Sequence, residues 1–548
     1  MGIYLNPGNE NFRIALNGKI YVDKTEMICS LNSLVDTPQR YVCVSRPRRF
    51  GKTMAIDMLC AYYSHDSGSR QLFEPLKLAK CPDWDCFLGQ FDVIKLTMVK
   101  FLSGSKSVAD MISYLKDEVM DELKAAFPDV NYGSRPNLTN ALERIYAFTR
   151  RKFVVIIDEW DAIFREYKND SEAQKKYLDF LRDCFKDQPA IALAYMTGIL
   201  PIKKYGKHSA LNMFDEYSMI TPMQFAEYTG FTGEEVQGLC REFGMDFMRI
   251  REWYDGYRVD GASPADESFR ESTAADKKRP PARKYHLYSP LSVVNAMITG
   301  HIQNYWNKTE TYEALAEYIR MDFNGLKETI AQLMDGGQVH VDLGSYQNDM
   351  STFTCRDDIL ALLVHLGYLG YDQEAGQVFI PNREILDEYR VSTKGREWAS
   401  TMRALQNSQK LLEATWAGDE KLVAEYIEAA HDNAGNRTYN SEAALSYAIR
   451  LAYYKAQDEY TFIPELDTGK GYADLVYLPK HPGIPALLVE LKYNGDAQTS
   501  IDQILAKDYP ARLEHYKGNL ILVGISYDHS ARPGEPDFKH HSCRLFKA

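Results

Sequence analysis

RYVCVSRPRRFGKTM, Arg40 to Met54, sets an apolar run, a short loop and the triplet Gly51-Lys52-Thr53 in succession ahead of a helical pattern. That order is what a phosphate-binding loop requires. Backbone N–H groups and the helix N-terminus face the phosphates from Gly51 onward. The Lys52 ammonium can reach the β and γ oxygens of ATP, and the Thr53 hydroxyl can ligate Mg²⁺. The departure from G-x-x-x-x-G-K-[ST] is Arg46, which stands where the first glycine is expected. Arg48 and Arg49 lie inside the loop and carry two readings: they neutralise phosphate, one of them as an arginine finger in cis, or they pair with Asp158, Glu159 or Asp161.

FVVIIDEWD at Phe153 to Asp161 gives an apolar strand that ends in adjacent carboxylates. Asp158 is placed to hold a Mg²⁺ ion through its water shell, and Glu159 to orient or deprotonate an attacking water. The run IALAYMTG ends in Thr197, which is either a sensor of the terminal phosphate or simply a polar strand end. Strands are expected at Tyr41 to Ser45, Val93 to Met98, Phe153 to Ile157, Ile191 to Thr197 and Tyr217 to Ile220. Helical periodicity lies between them at Lys52 to His65, Ala109 to Phe127 and Ser171 to Phe185, the pattern of a parallel sheet covered by helices. One strand intervenes in sequence between the loop strand and the Asp158 strand. With Glu159, this fits the P-loop class in which an extra strand inserts beside the loop strand.

The chain has 548 residues, more than one core usually organises. The expected division is a P-loop ATPase-like α/β domain at 1–220, a mostly helical lid or linker at 221–430, and a second α/β domain at 431–548. Gly261 to Lys284 reads as a loop, and 357–385 as a helix with a hairpin, winged-helix-like or a plain bridge. The net charge of -12 disfavours a generic DNA-coating role. Nine scattered cysteines with no completed zinc pattern suggest reduced thiols in the cytoplasm. No run is apolar for the roughly 18 residues a membrane span needs, so no membrane partner is expected. Self-association is left open.

The last segment reads as a helix from Glu442 to Tyr454, strands at Thr461 to Leu466, Tyr472 to Leu478 and Ala486 to Tyr493, a helix at Ser500 to His515 and a strand at Asn519 to Ile525. Asp474 sits on the second strand, Glu490 and Lys492 on the third, where the period of two puts the last pair on one face. Two carboxylates on neighbouring strands can hold Mg²⁺, and a lysine beside them can orient or acidify a water for phosphodiester hydrolysis. Lys492 stands in an otherwise apolar strand, where an unpaired ammonium is costly. Glu442 and Gln503 are further candidates. Glu442 is read equally well as a metal ligand or as an acid favoured by a helix dipole.

YVDKTEMI at Tyr21 to Ile28, RPRRFGKTM at Arg46 to Met54, IIDEWDAIF at Ile156 to Phe164, TGILPI at Thr197 to Ile202, WYDGYR at Trp253 to Arg258 and LYSPLSVVNAM at Leu287 to Met297 together carry a resemblance. Nearly end to end, the chain resembles bacterial AAA-ATPase-like proteins that end in a PD-(D/E)XK nuclease-superfamily domain. In that family RPRRFGKT itself replaces the usual first glycine. For the C-terminal part the resemblance rests on GYADLVYLP, LLVELKY and QILAKDY, and implies Asp474 and Glu490 as metal ligands with Lys492 catalytic. The superfamily's proline before the aspartate is Ala473 here. The implied function is an ATP-hydrolysing module whose nucleotide state controls a Mg²⁺-dependent nuclease acting on DNA or RNA. The alternative is a nucleotide-dependent switch or scaffold whose nuclease-fold domain binds a partner. Trp253 to Tyr257 reads best as a helix stop at Gly256 packed with aromatics.

Overall fold

The computed structural model describes residues 2–547 except 66, 203, 206–207, 210, 262–282, 307–311, 322, 324, 335, 349, 394–395, 434–448, 450–451, 454–455, 468–471, 494–495, 507–512, 514–515, 517 and 529–540. Packing groups the chain into two compact units, Met1–Asn324 with Gly336–Arg390, and Gly325–Asp335 with Val391–Ala548. The segment expected as a separate helical region at 221–430 is thus shared between the two units. Among the described residues, no helix is long and apolar enough to cross a membrane.

The first unit is built on β1 (Tyr41–Ser45), β2 (Asp92–Thr97), β3 (Phe153–Asp158), β4 (Ile191–Gly198) and β5 (Asp215–Tyr217), in the order β2-β3-β4-β1-β5. Every pairing is parallel. Parallel strands are covered on both faces, which is why β1, β3 and β4 are buried along their whole length. The crossovers include α1 (Lys52–Tyr63), α2 (Val108–Ala126), the short α3 (Ala162–Glu166) and α4 (Ser171–Phe185). Side chains cap two of them: Ser107 accepts from Asp110 N at the start of α2, and Asp170 from Ala173 N at the start of α4. β4 comes last of the four main strands in sequence yet lies between β1 and β3, so the loop strand and the Asp158 strand are not neighbours. The weak strand expected at Tyr217 to Ile220 forms slightly earlier, at Asp215–Tyr217.

The N-terminal segment closes the open edge of β2. Leu5 bridges Ile94 in antiparallel sense, and Lys95 N donates to Tyr4 O. Glu122 on α2 accepts from the backbone N–H groups of Ile3, Tyr4 and Leu5, so the edge does not remain free to pair with another chain.

One expectation is overturned here. Cys29 and Cys81 are joined by a disulfide rather than both being free thiols. Asp23 Oδ2 accepts from Lys77 N and Thr25 Oγ1 from Leu78 N, which draws two segments 52 residues apart in sequence against each other. Sequence spacing carries no trace of that approach.

The rest of the first unit gathers around α5 (Phe247–Tyr254), β6 (Tyr257–Asp260) and β7 (Lys284–Tyr288), with β7 paired antiparallel to β6 and to Phe231–Thr232. Most of the loop expected at Gly261 to Lys284 lies outside the described residues. In the 357–385 region the expected helix and hairpin are α6 (Arg356–Leu366) with β8 (Gly370–Asp372) and β9 (Gln377–Phe379), and Val339–His340 adds a third strand beside β9. Helix α7 (Arg383–Ser392) follows.

The second unit holds α8 (Arg396–Ala417) and α9 (Glu420–Asn433), then β10 (Tyr460–Asp467), β11 (Tyr472–Pro479), β12 (Ala486–Tyr493), α10 (Ala497–Ala506), β13 (Leu520–Tyr527) and β14 (His541–Lys547). The sheet runs in sequence order, antiparallel except for the β12–β13 pair, which α10 joins as a parallel crossover. β14 was not expected from the sequence. Most of the helix expected from Glu442 to Tyr454 lies outside the described residues. Alternation sorts the two faces: Leu487, Val489 and Leu491 pack with α8 and α9, whereas Ala486 and Leu488 pack with Ile501 and Ile504 of α10.

Candidate functional site

Loop residues 46–51 leave β1 and enter α1, and two of them take left-handed backbone angles, Arg49 at φ 68° and Gly51 at φ 85°. A Cβ at Gly51 would meet nothing within 4 Å, so the glycine answers to its φ and not to crowding. Lys52 is buried and donates to Arg46 O at 3.0 Å and Pro47 O at 2.8 Å. Burial pulls its ammonium down to about 8, against the opposing pull of Asp161 and Asp158.

Thr53 Oγ1 donates to Asp158 Oδ2 at 3.2 Å, so the first residues of α1 meet the end of β3 across the strand between them. Asp158 is buried, and its Oδ1 has no hydrogen-bond partner in the structure. Burial, then the neighbouring Glu159, raises its carboxyl above the ordinary range. A hydroxyl and a carboxylate in contact, with a buried carboxylate oxygen left over, fit a divalent cation such as Mg²⁺.

Glu159 takes φ 53° and turns the chain off the end of β3. Its Oε2 accepts from Arg165 Nη2 at 3.2 Å. Asp161 is fully buried and accepts from Ile199 N at 3.0 Å and Leu200 N at 2.9 Å, which makes it the anchor of the loop after β4. A Cβ at Gly198 would lie 2.6 Å from Asp161 Oδ1. Thr197 pairs in register with both Asp158 and Val44, but its hydroxyl is buried and donates to Val44 O at 2.9 Å. In this conformation it serves the sheet.

Arg46 explains the missing glycine. Its side chain is fully buried; Nη1 donates to Ser45 O and Tyr217 O, both at 2.9 Å, and Nη2 to Phe225 O at 3.0 Å. The guanidinium therefore ties β1, β5 and the segment beyond into one piece, a role no glycine can fill. The departure is visible in the sequence, but its cause lies in contacts with residues 217 and 225.

Arg49 donates to Trp306 O and lies over the Trp306 ring, while Arg48 is exposed. Trp306 N and Tyr305 N in turn donate to Glu384 Oε1, and Ser292 Oγ to Glu384 Oε2. Trp253 to Tyr257 organises this surround. Tyr257 packs edge-on against Phe50 of the loop and donates to Gly367 O; Tyr254 donates to Gln303 O; Asp255 pairs with His286 at 3.1 Å. Gly256 sits at φ 131°, where a Cβ would fall 1.8 Å from Pro381 O. The motif is a packing hub.

In the second unit Glu490 is buried and Lys492 half-buried, with Nζ to Oε1 at 3.9 Å. Both share the parity of Ala486 and Leu488, hence the α10 face. Opposite Glu490 on β13 is Gly524, where a Cβ would lie 2.5 Å from Ala497 O, so the start of α10 packs directly over this part of the sheet. Position 474 is one residue before the pair Leu475–Val489, and Glu490 one residue after it. The side chains of Asp474 and Gln503, and Glu442 entirely, lie outside the described residues.

Residues 8–207 match the family model described as "Predicted AAA-ATPase", and the N-terminal region is AAA-ATPase-like. A relative from Azotobacter chroococcum mcd 1, described as "Uncharacterized protein in vnfD 5'region", is 24% identical over 550 residues, covering 93% of each chain. Among solved structures, the Walker-type ATPase PABY2304 of Pyrococcus abyssi is 11% identical with a TM-score of 0.33, over 67% of this chain and 94% of its own. The ORC2 protein of Aeropyrum pernix is 10% identical with a TM-score of 0.25, over 71% and 98%.

Two expected outcomes follow from the surround of the loop. Arg46→Gly restores the usual glycine but strands three buried carbonyls, and is expected to lower stability by about 3 kcal/mol or more in urea denaturation. Burial raises the Glu384 carboxyl from 4.5 to about 7. The folded state therefore holds the extra proton between those values, and stability falls as pH rises through that window. Glu384→Gln keeps the shape, so the wild type is expected to lose up to about 3 kcal/mol more than the variant between pH 4.5 and 7.5.

Proposed function

We propose that the first unit binds ATP with Mg²⁺ at the 46–53 loop and hydrolyses it. The observation that carries this reading is the contact of Thr53 with Asp158, whose second carboxylate oxygen is buried and unpartnered, beside a buried lysine on a loop that enters a helix. Gly51 and the backbone around it receive the phosphates at the start of α1. Lys52 exchanges the carbonyls of Arg46 and Pro47 for β and γ oxygens, and Arg48 and Arg49 lend positive charge at the rim. Thr53 and Asp158 hold the metal, which when bound supplies positive charge to the terminal phosphates. Glu159 takes the proton of the attacking water, and Thr197 lies at the strand end between the two carboxylate-bearing and loop-bearing strands.

The proposal extends to the second unit as a Mg²⁺-dependent nuclease-like domain acting on DNA or RNA under control of the nucleotide state. A buried Glu490 with Lys492 on the same face of an otherwise apolar strand supports it, since such charges need a functional or structural reason. Asp474 and Glu442 complete the ligand set in this reading.

Lys52→Ala is expected to weaken ATP binding by about tenfold or more in calorimetry, because it removes the ammonium directed at the terminal phosphates. Undiminished binding would refute the loop assignment. Glu159→Gln is expected to bind ATP normally while turnover falls by about 10². For the second unit, wild-type protein is incubated with plasmid, single-stranded DNA and RNA in Mg²⁺ or Mn²⁺, with and without ATP. Cleavage lost in Glu490→Ala and in Lys492→Ala supports the nuclease reading; no cleavage of any substrate favours partner binding.

A further inference from the structure

The side chain of Arg165 is nine-tenths buried on α3, and it faces two carboxylates at once: Asp161 Oδ2 at 3.4 Å from Nε and Glu159 Oε2 at 3.2 Å from Nη2. The two carboxylates differ in kind. Asp161 is fully buried and pinned by the Ile199 and Leu200 amides, so it cannot follow a moving partner. Glu159 is 40% exposed and stands on a left-handed backbone angle at the end of β3, beside the Asp158 that contacts Thr53. The guanidinium is thus drawn toward Asp161 by charge alone, Nε making no hydrogen bond there, while Nη2 hydrogen-bonds the more exposed Glu159.

Resting on the ATPase reading above, we infer that Arg165 is the positioning residue of the general base: burial and the ion pair with the immobile Asp161 hold the Arg165 guanidinium, and its Nη2 arm orients the Glu159 carboxylate toward the attacking water. A planar guanidinium confined by burial presents its N–H groups in a fixed fork, which a flexible ammonium does not. Misplacing a catalytic group by about 1 Å can cost on the order of 10² in rate, so the arrangement is large enough to matter. Ground-state binding of ATP involves the loop and α1, not this arm. The effect therefore belongs in kcat.

The experiment measures steady-state Mg²⁺-dependent ATP hydrolysis, ATP affinity by calorimetry and thermal stability for wild type, Arg165→Lys, Arg165→Met, Glu159→Gln and the double variant Glu159→Gln/Arg165→Met. Arg165→Lys keeps a cation against Asp161, preserving the fold if Arg165→Met fails to fold. It is expected to lower kcat about tenfold while ATP affinity stays within about threefold. In the Glu159→Gln background, Arg165→Met is expected to cause no further loss, because its effect passes through the missing base. An Arg165→Lys kcat equal to or above the wild-type value, or an undiminished loss in the double variant, overturns the positioning role alone. Absence of hydrolysis by the wild-type chain overturns the ATPase reading together with it.

Discussion

The first unit depends on a guanidinium buried at the end of a parallel sheet. Arg46 has no salt-bridge partner among the described contacts; it is held by carbonyls of Ser45, Tyr217 and Phe225. Burying a cation this way is tolerable only because several donors are used, and burial still draws the guanidinium down to about 10. In return β5 and the segment carrying Phe225 are tied to β1, and the loop that follows starts from a fixed point. Lys52 then closes back on the carbonyls of Arg46 and Pro47, so the loop's geometry derives from the same anchor.

A second layer holds the loop from outside. Phe50 meets Tyr257, its carbonyl accepts from Gly230 N, and Pro47 lies so close to Gly367 that a Cβ there would come within 2.8 Å of it. Arg49 reaches Trp306, which Glu384 holds through backbone amides. Segments as far along the chain as Glu384, 335 residues beyond Arg49, thus shape a loop of a few residues. The aromatic cluster at Trp253 to Tyr257 is where these segments meet, which accounts for its density of large side chains without requiring a ligand.

The second unit shows how one strand can serve a core and a polar face at once. Along β12, alternate residues enter the cluster under α8 and α9, and the others face α10. Glu490 and Lys492 fall on the latter face because of parity alone, and Gly524 opposite Glu490 leaves room for α10 to approach. Charge on this strand is compatible with a full core because the two demands lie on opposite sides of the sheet.

Much of this was legible in the sequence. The apolar runs that became β1, β3 and β4 have no alternation, which marks strands buried on both faces, and the GKT triplet after such a run located the start of α1. Parity placed Glu490 and Lys492 together, since a period of two is a property of the strand itself. Local chemistry of this kind needs only neighbours along the chain. The role of Arg46, the hold of Asp161 on the loop after β4, the use of the Thr197 hydroxyl by Val44, the Cys29–Cys81 bond and the bridging position of Arg165 were decided by the tertiary structure. Each rests on groups far apart along the chain, or on neighbours held from afar, brought together by crossovers and packing, and the short spacing from Glu159 to Arg165 acquires meaning only because Asp161 is pinned from the loop after β4. Burial sets the energy of such charged contacts, and burial belongs to the fold rather than to any stretch of sequence.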